Sequence, residues 1–92
     1  MLTSRIATVA SAVGLHARPA ALFAQAAAAS GMPVKVGRPG RKMVDARSVL
    51  MVMSLGVKCG EQVELTVDAD GDDAGAVLDR LAELLEQDMD AS

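Results

Sequence analysis

Phe23 is the only aromatic side chain in these 92 residues, and that scarcity limits the interior the chain can build. Apolar residues make up 51% of the composition, so the core has to come from Val, Leu, Ile, Met and a large supply of alanine. Such a core packs thinly and lets helices approach a sheet closely. The length lies at the small end of single-domain sizes. One compact unit over residues 1–92 is therefore expected, with little room for a catalytic domain beside a binding domain; a monomer is the expected state.

A formal charge of -3 gives no electrostatic footprint for nucleic acid, which sets DNA and RNA aside as partners. Cys59 is the single cysteine, without a mate for a disulfide or a metal pair, which fits a reducing cytoplasm. No metal and no cofactor are expected. Arg5 followed by Ile6 to Val13, with small residues at Ala10-Ser11-Ala12, imitates a signal peptide poorly: the apolar run is short and broken by Thr8 and Ser11. No stretch approaches the ~20 apolar residues of a spanning helix, so membrane insertion is not expected.

Thr3 to Ala10 is rich in β-branched residues and roughly alternating, which predicts a first strand with either Ile6/Thr8 or Ala7/Val9 facing inward. Gly14 breaks that pattern. A helix is expected from about His16, with Pro19 in its first turn, Ala20 to Ala29 as its body and Gly31 as its stop. Leu22, Phe23 and Ala26 would share its apolar face. Val34 to Val36 reads as a strand, Arg38-Pro39-Gly40-Arg41 as a type II turn, and Lys42 to Ala46 as the returning strand. Ser48 to Leu55 predicts a short helix, capped by the Ser48 hydroxyl and ended by Gly56. Gly60 to Val67 alternates as a fourth strand, and Val77, Leu78, Leu81, Leu84 and Leu85 give an amphipathic helix from Ala74 onward. The order is βαββαβα. Three helices with one apolar stripe each are satisfied by an α+β open-faced β-sandwich, a four-stranded antiparallel sheet covered on one face by all three.

Chemistry concentrates in Gly14-Leu15-His16-Ala17-Arg18-Pro19-Ala20. The only histidine sits just before a helix, two residues from a permanent cation. A neutral imidazole is a competent nucleophile. Unpaired amides and the positive end of the helix dipole would stabilise an anion attached to the ring, and Arg18 adds a planar fork suited to phosphate oxygens. Taken alone, these residues are as readily a surface or capping histidine, a solvated arginine and a helix-starting proline.

The heptapeptide resembles the active-site signature of HPr, the phosphocarrier family of the bacterial phosphoenolpyruvate:sugar phosphotransferase system. Ser48 to Gly56 resembles that family's regulatory-serine segment. The turn and strand from Lys58 to Leu65 and the final Leu-rich helix are also similar, so the likeness covers nearly the whole chain. It implies that His16 is phosphorylated on the ring nitrogen nearer its backbone, with Arg18 and the helix-terminal amides of Ala17 and Arg18 holding the phosphate. It further implies Enzyme I as donor, EIIA domains of sugar permeases as acceptors and HPr kinase/phosphorylase as a further partner acting at Ser48. The chain would then be a stoichiometric carrier rather than an enzyme.

Ser48 supports two uses at once, a helix cap and a second phosphorylation site. About half of the apolar run Val49 to Leu55 should face the core. The remainder would dock partners beside His16, with Val49, Leu50 and Met53 as candidates by analogy, and Ala21 joins them because some family members carry a hydroxyl residue there. The acidic run Asp68 to Asp73 has its glycine at the wrong place for a calcium loop and reads as a turn with an Asp cap. Cys59 reads as a small residue at a strand entrance. The basic Arg38 to Lys42 hairpin is a departure from the family that bears on partner choice, leaving room for a nitrogen-related phosphocarrier paralogue with regulatory acceptors. A ferredoxin-like regulatory domain has a similar element order but would give His16 and Arg18 no shared task.

Overall fold

A computed structural model describes residues 2–69 and 71–87. Its elements run β1 (Leu2–Thr8), α1 (Ala17–Ala29), β2 (Lys35–Gly37), β3 (Val44–Asp45), α2 (Val49–Ser54), β4 (Gln62–Asp68) and α3 (Asp72–Leu85). The four strands form one antiparallel sheet in the order β1-β4-β2-β3. β4 is central: Val63, Leu65 and Val67 are buried on one side, matching its period-two pattern. A single apolar cluster draws on all three helices and on β1, β2 and β4, with Phe23 at its largest buried position.

β1 settles the choice its sequence left open. Ala7 and Val9 are buried, while Ile6 and Leu2 are exposed on the uncovered face. The inward set is completed by Thr3 and Arg5, opposite Val67 and Leu65 of β4. Arg5 can point to the helix side because it lies at the sheet edge, where its guanidinium reaches Asp79 of α3 at 2.8 Å and Glu86 at 3.7 Å. The strand ends at Thr8 rather than Ala10, since beyond it the Ala10 amide turns to the Leu85 carbonyl at the end of α3.

The β2–β3 hairpin has its expected turn, with Arg41 N–H donating to the Arg38 carbonyl at 2.9 Å and Gly40 at φ +75° in the position a type II turn gives to glycine. The returning strand is shorter than Lys42 to Ala46. Pairing with β2 stops at Val36–Val44, and the next residue, Gly37, lies so close to Lys42 and Met43 that a Cβ there would meet the Lys42 carbonyl oxygen at 2.6 Å. α3 begins two residues before Ala74, and its N-cap is Gly71 at φ +98°, not an aspartate. Asp72 and Asp73 occupy the first turn instead, where carboxylates favour the helix dipole. Asp70 lies outside the described residues.

Candidate functional site

The loop before α1 is shaped by contact with the segment after α2. Gly14 has φ +75°, and a Cβ on it would run into the Val57 carbonyl oxygen and the Lys58 Cα, so only glycine fits. The next amide, Leu15, donates to Val57 O at 2.9 Å, and the Leu15 side chain is buried. This anchored residue precedes an exposed one. His16 has extended backbone (φ -138°, ψ 152°) as the N-cap of α1, and its ring makes no capping hydrogen bond. The capping use left open by the sequence is therefore not the one adopted.

The first helical residue, Ala17, has φ +48°, the only positive φ among the described non-glycine residues. Such a conformation costs of order 1–3 kcal/mol for a residue with a Cβ. The amides of His16, Ala17 and Arg18 precede the first intrahelical bond, while Pro19, buried in the same turn, has none to offer. No acidic side chain stands in that turn. Arg18 is exposed and forms no ion pair among the described residues. A nucleophilic ring, free amides and a guanidinium thus share one exposed helix end, an arrangement suited to holding a small anion at the surface.

α2 lies against α1, and the Leu15–Val57 bond ties its C-terminal exit to the His16 loop. Ser48 is its N-cap: Oγ accepts the Met51 amide at 3.3 Å. Of the sequence candidates for docking, Leu50 is 78% exposed, whereas Val49 and Met53 are half-buried and pack on the core, as α2 turns Val52 fully inward. Ala21 is half-buried on α1. Met51 and Val13, which the sequence reading did not single out, are exposed. Only their place on the folded surface distinguishes them from buried neighbours of the same type.

A second set of contacts also lay outside the sequence reading. Arg38 pairs with Glu61 at 2.9 Å across 23 residues. That side-chain bond, followed by the one from the Lys58 amide, holds the Glu61 carboxyl below the usual carboxylate range. Cys59 sits exposed in the turn before β4, its thiol 3.6 Å from the Ala10 carbonyl oxygen. The groove between α1 and α3, about 320 Å³ and lined by Ala26, Ala29, Val77 and Leu81, opens near the C-terminal end of α1. It is roughly 20 Å along that helix from His16, and has no part in chemistry there. Among the described residues no cluster of His, Cys, Asp and Glu could hold a metal ion, and no helix is long and apolar enough to cross a membrane.

An open sheet with all helices on one face and an exposed histidine at a helix start defines a small α+β protein built to present a group rather than to enclose one. Residues 3–87 match the family model described as the PTS HPr component phosphorylation site. The chain is 42% identical over 89 residues to the phosphocarrier protein HPr of Streptomyces coelicolor, covering 97% of this chain and 94% of that one. It is 44% identical over 82 residues to the HPr of Haloferax volcanii, covering 88% and 90%. The crystal structure of HPr-C-His from Thermoanaerobacter tengcongensis superposes with a TM-score of 0.83 at 34% identity, covering 98% of both chains. The chain belongs to the HPr family. It is a phosphocarrier of the phosphotransferase system, a carrier and not a catalyst.

Proposed function

We propose that residues 1–92 act as one phosphocarrier domain in which His16 receives the phosphoryl group from phosphorylated Enzyme I and delivers it to EIIA domains of sugar permeases. The observation that carries this reading is the exposed His16 ring beside unpaired helix-terminal amides and Arg18. As the N–P bond of the donor phosphohistidine breaks, a new N–P bond forms at Nδ1 of His16, so one bond replaces another of the same kind and the transfer is readily reversed. The chain supplies position and charge: the amides of Ala17 and Arg18 and the Arg18 guanidinium face the phosphoryl oxygens. An exposed site suits this work, because the group must be reached by two different proteins in turn.

In the same reading the carrier works as a monomer in the cytoplasm, meeting its partners through Ala21, Val49, Leu50 and Met53. HPr kinase/phosphorylase modifies Ser48. Incubating the chain with phosphoenolpyruvate and Enzyme I should yield one acid-labile phosphate. His16→Ala should abolish it while leaving the thermal midpoint within a few degrees, since the ring is exposed and caps nothing. Undiminished labelling of His16→Ala would overturn the assignment.

A further inference from the structure

The β2–β3 hairpin carries an arginine whose contacts lead back to the His16 loop. Arg38 Nη1 donates to Glu61 Oε2 at 2.9 Å, and Nη2 donates to the Gly56 carbonyl oxygen at 2.9 Å and to Glu61 Oε1 at 3.3 Å. The same Oε1 accepts the Lys58 amide at 2.7 Å. One side-chain pair thus grips both ends of the segment 56–61. That segment is the wall on which the His16 loop rests: Val57 O accepts the Leu15 amide, and Gly14 touches it too closely for any side chain. Its far end is tied to β1, where Val9 N–H donates to Glu61 O at 2.9 Å and Val9 O accepts from Gly60 N–H at 2.7 Å.

We propose that Arg38, held by Glu61, is a positioning residue for phosphoryl transfer at His16, fixing the 56–61 segment and, through the Leu15–Val57 bond, the direction in which the imidazole leaves its loop. Resting on His16 as the acceptor, this assigns the pair a task beyond folding: its charge attraction alone adds little at such exposure, and its further bonds to Gly56 and Lys58 all fall on the segment that carries the His16 loop. In-line transfer is far more sensitive, since an ångström of misplacement from a distant change is enough to slow a reaction strongly. Gly56 and Glu61 are the first links, Val57 and Leu15 the next, and His16 follows Leu15 in the chain.

The competing role is plain attraction, with Arg38 as one more positive charge for an acidic partner. The two roles differ in sign at Glu61. The test is steady-state transfer from Enzyme I, charged with phosphoenolpyruvate, to the wild-type chain, Arg38→Met, Glu61→Gln and the double variant. Positioning predicts that both single changes lower kcat, by about threefold to tenfold, with little change in KM. It also predicts a double variant no slower than the slower single one, and faster hydrogen exchange at the Leu15 amide in all three. Unchanged kcat in both single variants overturns the proposal, as does a KM that rises for Arg38→Met and falls for Glu61→Gln. Should Arg38→Met fail to fold, Glu61→Gln, which keeps the side-chain shape, carries the same comparison against wild type. A wild-type chain that takes no phosphate sinks the His16 reading itself, whereas normal labelling with unaffected variants sinks only the role of Arg38.

Discussion

Ala17 stores conformational energy at the position next to His16. Its φ of +48° is one that glycine adopts freely, so Ala17→Gly relieves strain worth about 1–2 kcal/mol and loses about 0.5–1 kcal/mol to greater freedom of the unfolded chain. The expected outcome is a thermal midpoint unchanged or raised by a few degrees. A glycine at an ordinary helical position lowers stability by about 1 kcal/mol, and a fall of that size in differential scanning calorimetry would show that no strain is held there. Gly14 was legible as the break after the first strand, and His16 stood out through the resemblance of its heptapeptide rather than through residue type alone. The sequence reading named Ala17 for its amide but was silent on its conformation, since nothing in an alanine codes for a left-handed backbone; that residue lies between the anchored Leu15 loop and the body of the helix.

α2 concentrates two demands in six residues: it buries Val52 and presents Leu50 and Met51 to solvent. Its cap decides how a charge at Ser48 would be felt. Ser48→Ala removes the acceptor for the Met51 amide and should lower stability by about 1 kcal/mol in urea unfolding, with phosphoryl transfer unaffected. Ser48→Asp keeps a capping oxygen and adds negative charge at the helix start, so stability should be retained while transfer from Enzyme I slows. Normal transfer with a collapsed midpoint for Ser48→Asp would reduce Ser48 to a cap alone. The run Val49 to Leu55 was legible as a helix, but which apolar residues it exposes was not, because a helix this short shows its periodicity less than twice over. β1 was harder still. Its inward face carries Thr3 and Arg5 and its open face Ile6 and Leu2, an inversion possible only at a sheet edge where α3 supplies carboxylates to an inward arginine.

Charge is divided unevenly over the molecule. Residues 16–58 hold seven of the nine Lys and Arg but only one of the twelve acids, and the acids gather from Glu61 onward, in β4, α3 and beyond. The net charge of -3 conceals this division, which is why bulk charge said nothing of the cation-rich region that carries Arg18. An acidic partner surface would be steered toward that region, so kcat/KM for transfer from Enzyme I should fall as salt rises from 50 to 500 mM, an estimate of roughly tenfold from screening of steered encounters. A salt-independent rate would mean that docking relies on the apolar residues alone. The element order was legible almost throughout because each element has its own punctuation in glycine, proline or serine; the Arg38–Glu61 pair was not, since it joins positions 23 residues apart. The sheet order has a consequence in time. Among the described residues β1 pairs only with β4, Leu2 against Asp68, so β1 has no strand beside it until β4, the fourth of the four, has been made. Closure of the sheet therefore waits for β4, and its pace is set by a long-range pairing rather than by the fast-forming helices.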